Sequence, residues 1–137
     1  QAFALGAEGV YLGTRFLASV ECAAHSKVKQ AVLNASDTST VVFARRTGIS
    51  RCWKNQYTAK HIEMEEQGVS FEALRDFERH CPTLGEWRRV PGALILGDIE
   101  DGSLPMGAIA GLIEDILPTS EIIGRMVAEY EAVKKTL

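Results

Sequence analysis

Gly13-Thr14 closes a short apolar run, Val10-Tyr11-Leu12, that Gly9 opens, and Arg15-Phe16 follow it. That arrangement can grip an anion. A phosphate dianion needs several N–H donors aimed at one point close to the main chain; glycine permits the approach, and a helix starting just beyond adds a favourable dipole. The alternative is that Gly13 merely ends a strand. Gly107 and Gly111, spaced i and i+4, form a second place where close approach is possible, whether by a packed helix or by a bound group.

The remaining chemistry-bearing residues form weaker patterns. Cys52 with His61, or His80 with Cys81, lacks the paired ligand spacing of a zinc site, so no metal is expected. Asp98, Glu100 and Asp101 resemble half of a calcium loop, but Ile109 and Ala110 stand where the closing acid belongs, and a solvated turn is the expectation. Cys22, Cys52 and Cys81 have no histidine at a suggestive distance, which argues against a catalytic thiol.

Several elements must position these residues. The run Val10–Leu12, apolar on both faces, predicts a short buried strand of a parallel sheet. Gln1–Ala7 reads as the end of a helix closed by glycine, so the chain is expected to begin inside an α/β unit. Val28, Ala31, Val32 and Ala35 have helical spacing and predict a helix over about 26–35. The β-branched stretch 38–43 predicts an extended segment. A helix over 54–66, with His61 on its polar side and Tyr57, Ile62 and Met64 available for packing, comes next. Ser70 is an N-cap for a third helix carrying Phe71, Leu74 and Phe77, which Pro82 stops. Residues 83–105 are hard to read, apart from a continuing helix over Glu86–Arg89 and a turn-rich loop at 97–102. Met106–Ile113 predicts a short apolar helix entered at Pro105. Pro118-Thr119 opens a long last helix with a buried stripe of Ile122, Ile123, Met126, Val127, Tyr130 and Val133; Glu121, Lys134 and Lys135 match its dipole.

The bulk numbers set limits. At 137 residues there is room for one domain, whereas a complete (β/α)8 barrel takes roughly 200–250. A net charge of −3, with Arg45-Arg46 and Arg88-Arg89 as isolated pairs, leaves no footprint for nucleic acid. No apolar run approaches the ~18 residues of a membrane span, and no signal peptide is read at the start. Three widely spaced cysteines point to reduced thiols and a cytoplasmic protein.

Taken in order, Gly6-Ala7-Glu8-Gly9-Val10-Tyr11-Leu12-Gly13-Thr14-Arg15-Phe16, Glu21, Ala24-His25, Asp37-Thr38, Lys54-Asn55-Gln56, Gly97-Asp98, Gly102 and Met106-Gly107-Ala108-Ile109-Ala110-Gly111-Leu112-Ile113 resemble the closing section of the nitronate monooxygenases, also called 2-nitropropane dioxygenases. These are similar in turn to the flavin-dependent enoyl-acyl-carrier-protein reductases. Residues 70–95 match poorly.

The resemblance implies a helix-rich α/β fold: the C-terminal part of a (β/α)8 TIM barrel, with its last strand, plus a helical cap. Residues 1–36 would end the barrel, 37–105 would form a helical insertion, and 106–137 would close the barrel. It also implies FMN as cofactor, with Gly13 and Thr14 donating backbone N–H groups to its phosphate and Met106 and Gly107 near its ring. The family usually has Gly-Gln where this chain has Gly107-Ala108, which removes an amide that could contact flavin or substrate. The other half of the phosphate cradle and the family's catalytic histidine would lie upstream of Gln1, so no catalytic residue is assigned among these 137. His25 falls in an element that is structural in the relatives.

The implied activity is a flavin monooxygenase acting on a small-molecule nitronate with O2. The alternatives are an FMN-dependent enoyl-acyl-carrier-protein reductase or, from another class, a non-catalytic helical module that self-associates into a homo-oligomer. No nucleic-acid or membrane partner is expected.

Overall fold

The computed structural model describes residues 2–81, 85 and 88–135. It is a helix-rich α/β arrangement with a two-stranded sheet. The elements are α1 (Thr14–Leu17), α2 (Ser26–Leu33), β1 (Thr40–Phe43), β2 (Ser50–Trp53), α3 (Gln56–Glu66), α4 (Phe71–Arg79), α5 (Arg89–Leu96) and α6 (Thr119–Lys134). Two 3-10 turns, Phe3–Leu5 and Ala108–Leu112, complete it.

Local chemistry sets most of the boundaries. His25 Nδ1 accepts from Lys27 N and starts α2, while Ser70 accepts from Ala73 N and starts α4. At α3, Asn55 and Thr58 form a reciprocal capping box. The Asn55 amide then donates to the carbonyls of Ile99 (2.9 Å) and Gly102 (2.8 Å), so one side chain caps a helix and ties down the loop at 97–102. Helix α4 ends at Arg79; Pro82, the expected stop, lies outside the described residues.

β1 and β2 pair antiparallel, from Thr40 opposite Trp53 to Phe43 opposite Ser50. The segment Leu104–Met106 adds to the free edge of β2: Trp53 N bonds Leu104 O at 2.9 Å, and Met106 N bonds Arg51 O at 3.2 Å. The chain is thereby led back to the region of α1.

Two apolar cores result. One packs Val28, Ala31 and Val32 of α2 against Ala18, Ala93, Leu104, Met106, Ala110 and Ile113. The other holds Phe43, Ala44, Cys52 and Tyr57, with Ile62 and Phe77 at its border. The 3-10 turn Ala108–Leu112 lies close against the loop after α2. A Cβ on Gly111 would fall 2.7 Å from both Asp37 N and Ser36 C, so glycine is required by contact with a main chain that cannot yield.

Five expectations need correcting. Residues 10–12 form no strand, and Tyr11 is 99% exposed. A strand apolar on both faces needs a neighbour on each side for its backbone donors, and no described segment pairs with it. His61 is on a buried face, 0% exposed, because α4 covers that side of α3 with Phe77 and Glu78. The predicted helix 106–113 shortens to the 3-10 turn 108–112, since Met106 is held in extended pairing to β2. The helix expected over 86–89 is replaced by α5 from Arg89 onward, whose Arg-Val-Pro-Gly start carries no capping signal, while residues 86 and 87 lie outside the described residues. Finally, of the α6 stripe only Ile122 is buried; Ile123, Val127, Tyr130 and Val133 are exposed, with the Phe3 ring tilted against Tyr130 at 4.9 Å.

Candidate functional site

Thr14 begins α1, with Gly13 at its N-cap position. The first backbone bonds of that turn run from Phe16 N and Leu17 N to Gly13 O at 3.0 and 3.1 Å. The amides of Thr14 and Arg15 therefore precede the first intrahelical bond, and such groups are the ones a helix start leaves for another acceptor. Space beside Gly13 is open: a Cβ there would meet nothing within 4 Å.

Thr14 Oγ1 accepts a hydrogen bond from Gly107 N at 2.9 Å, across 93 residues of sequence. A Cβ on Gly107 would stand 3.3 Å from that oxygen, so the close contact favours glycine. Met106, beside it, is 2% exposed and fixed by its bond to β2. All four candidate residues, Gly13, Thr14, Met106 and Gly107, thus line one open cleft of about 510 Å³, together with Cys22 and Arg51. A second hollow of about 810 Å³, which shares Gly13, Thr14 and Gly107, reaches Arg15, Asp115 and Arg125.

Ion pairs hold the turn in place. Arg15 binds the Asp115 carboxylate at 2.7 Å and its carbonyl at 3.0 Å. Asp115 also takes Arg125 at 2.9 Å, and Arg125 pairs with Glu121 at 2.6 Å. The bond to Glu121 comes first among the interactions that push the Arg125 guanidinium above its ordinary value. Arg15 is thus committed to Asp115, which leaves the amides at the start of α1 and the Arg51 guanidinium as donors beside the cleft.

Residues that the sequence singled out elsewhere support this frame. Glu21 accepts from Thr119 N and Thr119 Oγ1, both at 2.9 Å, at the start of α6; the amide bond holds its carboxyl below the usual carboxylate value. His25 N bonds Leu94 O at 2.7 Å while its ring caps α2, a structural role. His80 sits exposed against Asp76 at 2.8 Å. None of the three histidines lines the cleft at Gly13 and Thr14. Among the described residues no group of three His, Cys, Asp or Glu side chains is placed to hold a metal ion.

Sequence reasoning missed a cluster around the second core. His61 Nε2 meets Glu78 Oε1 at 3.0 Å, and Nδ1 lies 3.7 Å from Glu65, inside a ring of Phe43, Tyr57 and Phe77. Arg89 is buried between Tyr57 and Phe77, its guanidinium 4.4 and 4.2 Å from their ring centres, and donates to the carbonyls of Phe77, His80 and Asp101. The sequence marked Tyr57 and Phe77 for packing, but the Arg88-Arg89 pair reads as surface charge and His61 as part of a polar face.

A family model described as nitronate monooxygenase matches residues 1–129. The chain belongs to the nitronate monooxygenase family. A relative named nitronate monooxygenase from Neurospora crassa is 28% identical over 98% of this chain and 35% of its own length. A probable nitronate monooxygenase of Staphylococcus haemolyticus is 53% identical over 38 residues, 28% of this chain and 11% of the relative. Among solved structures, FabK from Thermotoga maritima matches with a TM-score of 0.83 and 34% identity, covering 98% of this chain and 40% of that one. A methionine-to-alanine mutant of the same FabK gives 0.74 and 32%, covering 98% and 38%. The chain therefore spans between about a third and two fifths of the length of the relatives it matches end to end. In this chain Asn55 and Glu21 cap helix starts, while Thr14 and Gly107 join the two blocks that carry the resemblance. No helix among the described residues is long and apolar enough to cross a membrane.

Proposed function

We propose that the chain is the C-terminal portion of an FMN-dependent barrel oxidoreductase that oxidises alkyl nitronates with molecular oxygen. The observation that carries this reading is the Thr14 Oγ1 to Gly107 N bond, which gathers Gly13, Thr14, Met106 and Gly107 at one cleft. The residues fit the cofactor: an open approach at Gly13, two amides ahead of the first helical bond, and glycine at the second contact. In this reading Gly13 and Thr14 hold the FMN phosphate, and Met106 with Gly107 lies beside the ring. FMN, when bound, supplies the redox chemistry, and the protein orients it. Residues 1–36 then end the barrel, 37–105 form a cap, and 106–137 close the barrel. No general base is assigned among these residues, because His25, His61 and His80 all lie away from the cleft at Gly13 and Thr14.

Likeness to FabK over nearly the whole chain favours a second reading, an enoyl-thioester reductase using reduced nicotinamide. One experiment separates the two. The full product of the gene is purified, its flavin absorbance measured, and its rates compared on an alkyl nitronate with oxygen and on a crotonyl thioester with reduced nicotinamide. Yellow protein with nitronate turnover is the expected result. Turnover of the thioester alone replaces the first reading with the second, and a colourless protein that takes up no FMN removes both.

A further inference from the structure

The loop between β1 and β2, the end of α4 and the start of α5 enclose a cavity of about 710 Å³, on the second core rather than at the Gly13–Thr14 cleft. Among the described residues its charged lining is mostly positive, in a chain whose net charge is −3. Among the described residues, Arg75, Arg79, Arg88 and Arg89 line it, with the carboxylate of Glu78.

That carboxylate is already occupied. Glu78 Oε1 accepts from Thr47 Oγ1 and faces His61 Nε2, and Glu78 Oε2 accepts from Arg75 at 2.9 Å. Arg89 spends its donors on three neutral main-chain carbonyls and lies over the rings of Tyr57 and Phe77, with no carboxylate bonded to it among the described residues. Arg79 and Arg88 are exposed and have no partner among the described residues. Hydroxyls of Ser50 and Ser103 complete the polar wall, and Val90 with Pro91 forms an apolar one.

Guanidinium groups repel one another unless an anion sits among them, and their planar forks match the oxygens of phosphate. A monocarboxylate is satisfied by one such fork. Several forks from different elements around one space suit a dianion with three or more acceptor oxygens. We propose that this cavity is a binding site for a phosphate-bearing small molecule, gripped by Arg79 and Arg88 above the fixed charge of Arg89. The cavity falls within the 300–1,000 Å³ of ordinary small-ligand pockets, so the phosphate has room for an attached organic group. The proposal is independent of the flavin reading, because none of these arginines lines the cleft at Gly13 and Thr14.

The test is calorimetric titration of the full gene product with inorganic pyrophosphate, in excess FMN so that any cradle at Gly13–Thr14 is filled. Succinate serves as the carboxylate control. Wild-type protein is expected to bind pyrophosphate at millimolar concentration or below and to bind succinate more weakly. The double variant Arg79→Gln/Arg88→Gln is expected to lose roughly tenfold or more, with Arg→Lys at both positions recovering part of it. Both side chains are exposed, so the variants should melt with the wild type; if the double variant does not fold, Arg79→Gln alone is read instead. Absence of pyrophosphate binding, equal binding by the variants, or tighter binding of succinate would each overturn the proposal.

Discussion

Thr14 combines two duties in one side chain and its own amide. Its hydroxyl oxygen takes the Gly107 N–H at 2.9 Å, and its backbone stands at the proposed phosphate contact. Thr14→Val keeps the shape but leaves a part-buried donor without its acceptor, a loss of about 1–3 kcal/mol. Thermal unfolding should shift down accordingly, and flavin fluorescence titration of the full protein should show weaker FMN uptake, while Thr14→Ser stays near wild type. A Thr14→Val protein with unchanged melting would mean that the contact carries no stability. Glu78 sets a pH dependence. Burial pushes its carboxyl up, but the hydrogen bonds from Thr47 and His61 and the charge of Arg75 outweigh this and hold it below the ordinary value of 4.5. A carboxylate depressed in the folded state contributes stability that is complete above its unfolded value and is lost as pH falls through the folded one. Melting temperature should therefore decline below about pH 4.5, and Glu78→Gln should flatten that acid limb while lowering the neutral plateau. A wild-type profile with the same acid slope as the variant would contradict this.

At the scale of elements, the short β2 edge and the capping of α3 do the positioning. Asn55 accepts from Thr58 N as a cap and donates to Ile99 O and Gly102 O, so the helix and the loop are fixed together. Asn55→Ala should cost about 1–2 kcal/mol for the cap alone, with more for the two carbonyls released. Asn55→Asp separates these parts: it keeps the cap acceptor but sets a carboxylate against two carbonyl oxygens. Chemical denaturation should find Asn55→Asp at least as destabilised as Asn55→Ala; a near-normal Asn55→Asp would assign the whole effect to capping. The element boundaries marked by caps were readable in advance, as Ser70 before α4 and Pro118 before α6 show. β2 was not readable, because Ser50-Arg51-Cys52-Trp53 lacks a β-branched run and is stabilised by pairing to β1 and to 104–106.

For the whole molecule, apolar surface left uncovered is the dominant feature. Tyr11, Leu5 and Leu112 are 99, 88 and 77% exposed, and α6 turns Ile123, Val127 and Val133 to solvent. Large apolar side chains left exposed in this number mark candidate interaction surface. Expressed alone, the 137 residues should associate with rising concentration in sedimentation velocity, and the remainder of the gene product should suppress that association. A monomer at every concentration would show that water tolerates the face without a partner.

Local rules acting within a few residues determined α2, α3, α4, the start of α6 and the β1 segment, along with the family resemblance and the glycines that permit close approach. Tertiary structure alone decided that residue 107 reaches Thr14, that His61 is interior and that four arginines share one cavity. Each of those depends on groups brought together from distant parts of the chain: Gly107 led back by the edge of β2, Glu78 contributed by the neighbouring helix, Arg88 and Arg89 by a helix with no start signal. Periodicity reports which face of an element is apolar. Whether anything covers that face depends on what packs against it, which is why the stripe on α6 was visible in sequence while its exposure was not.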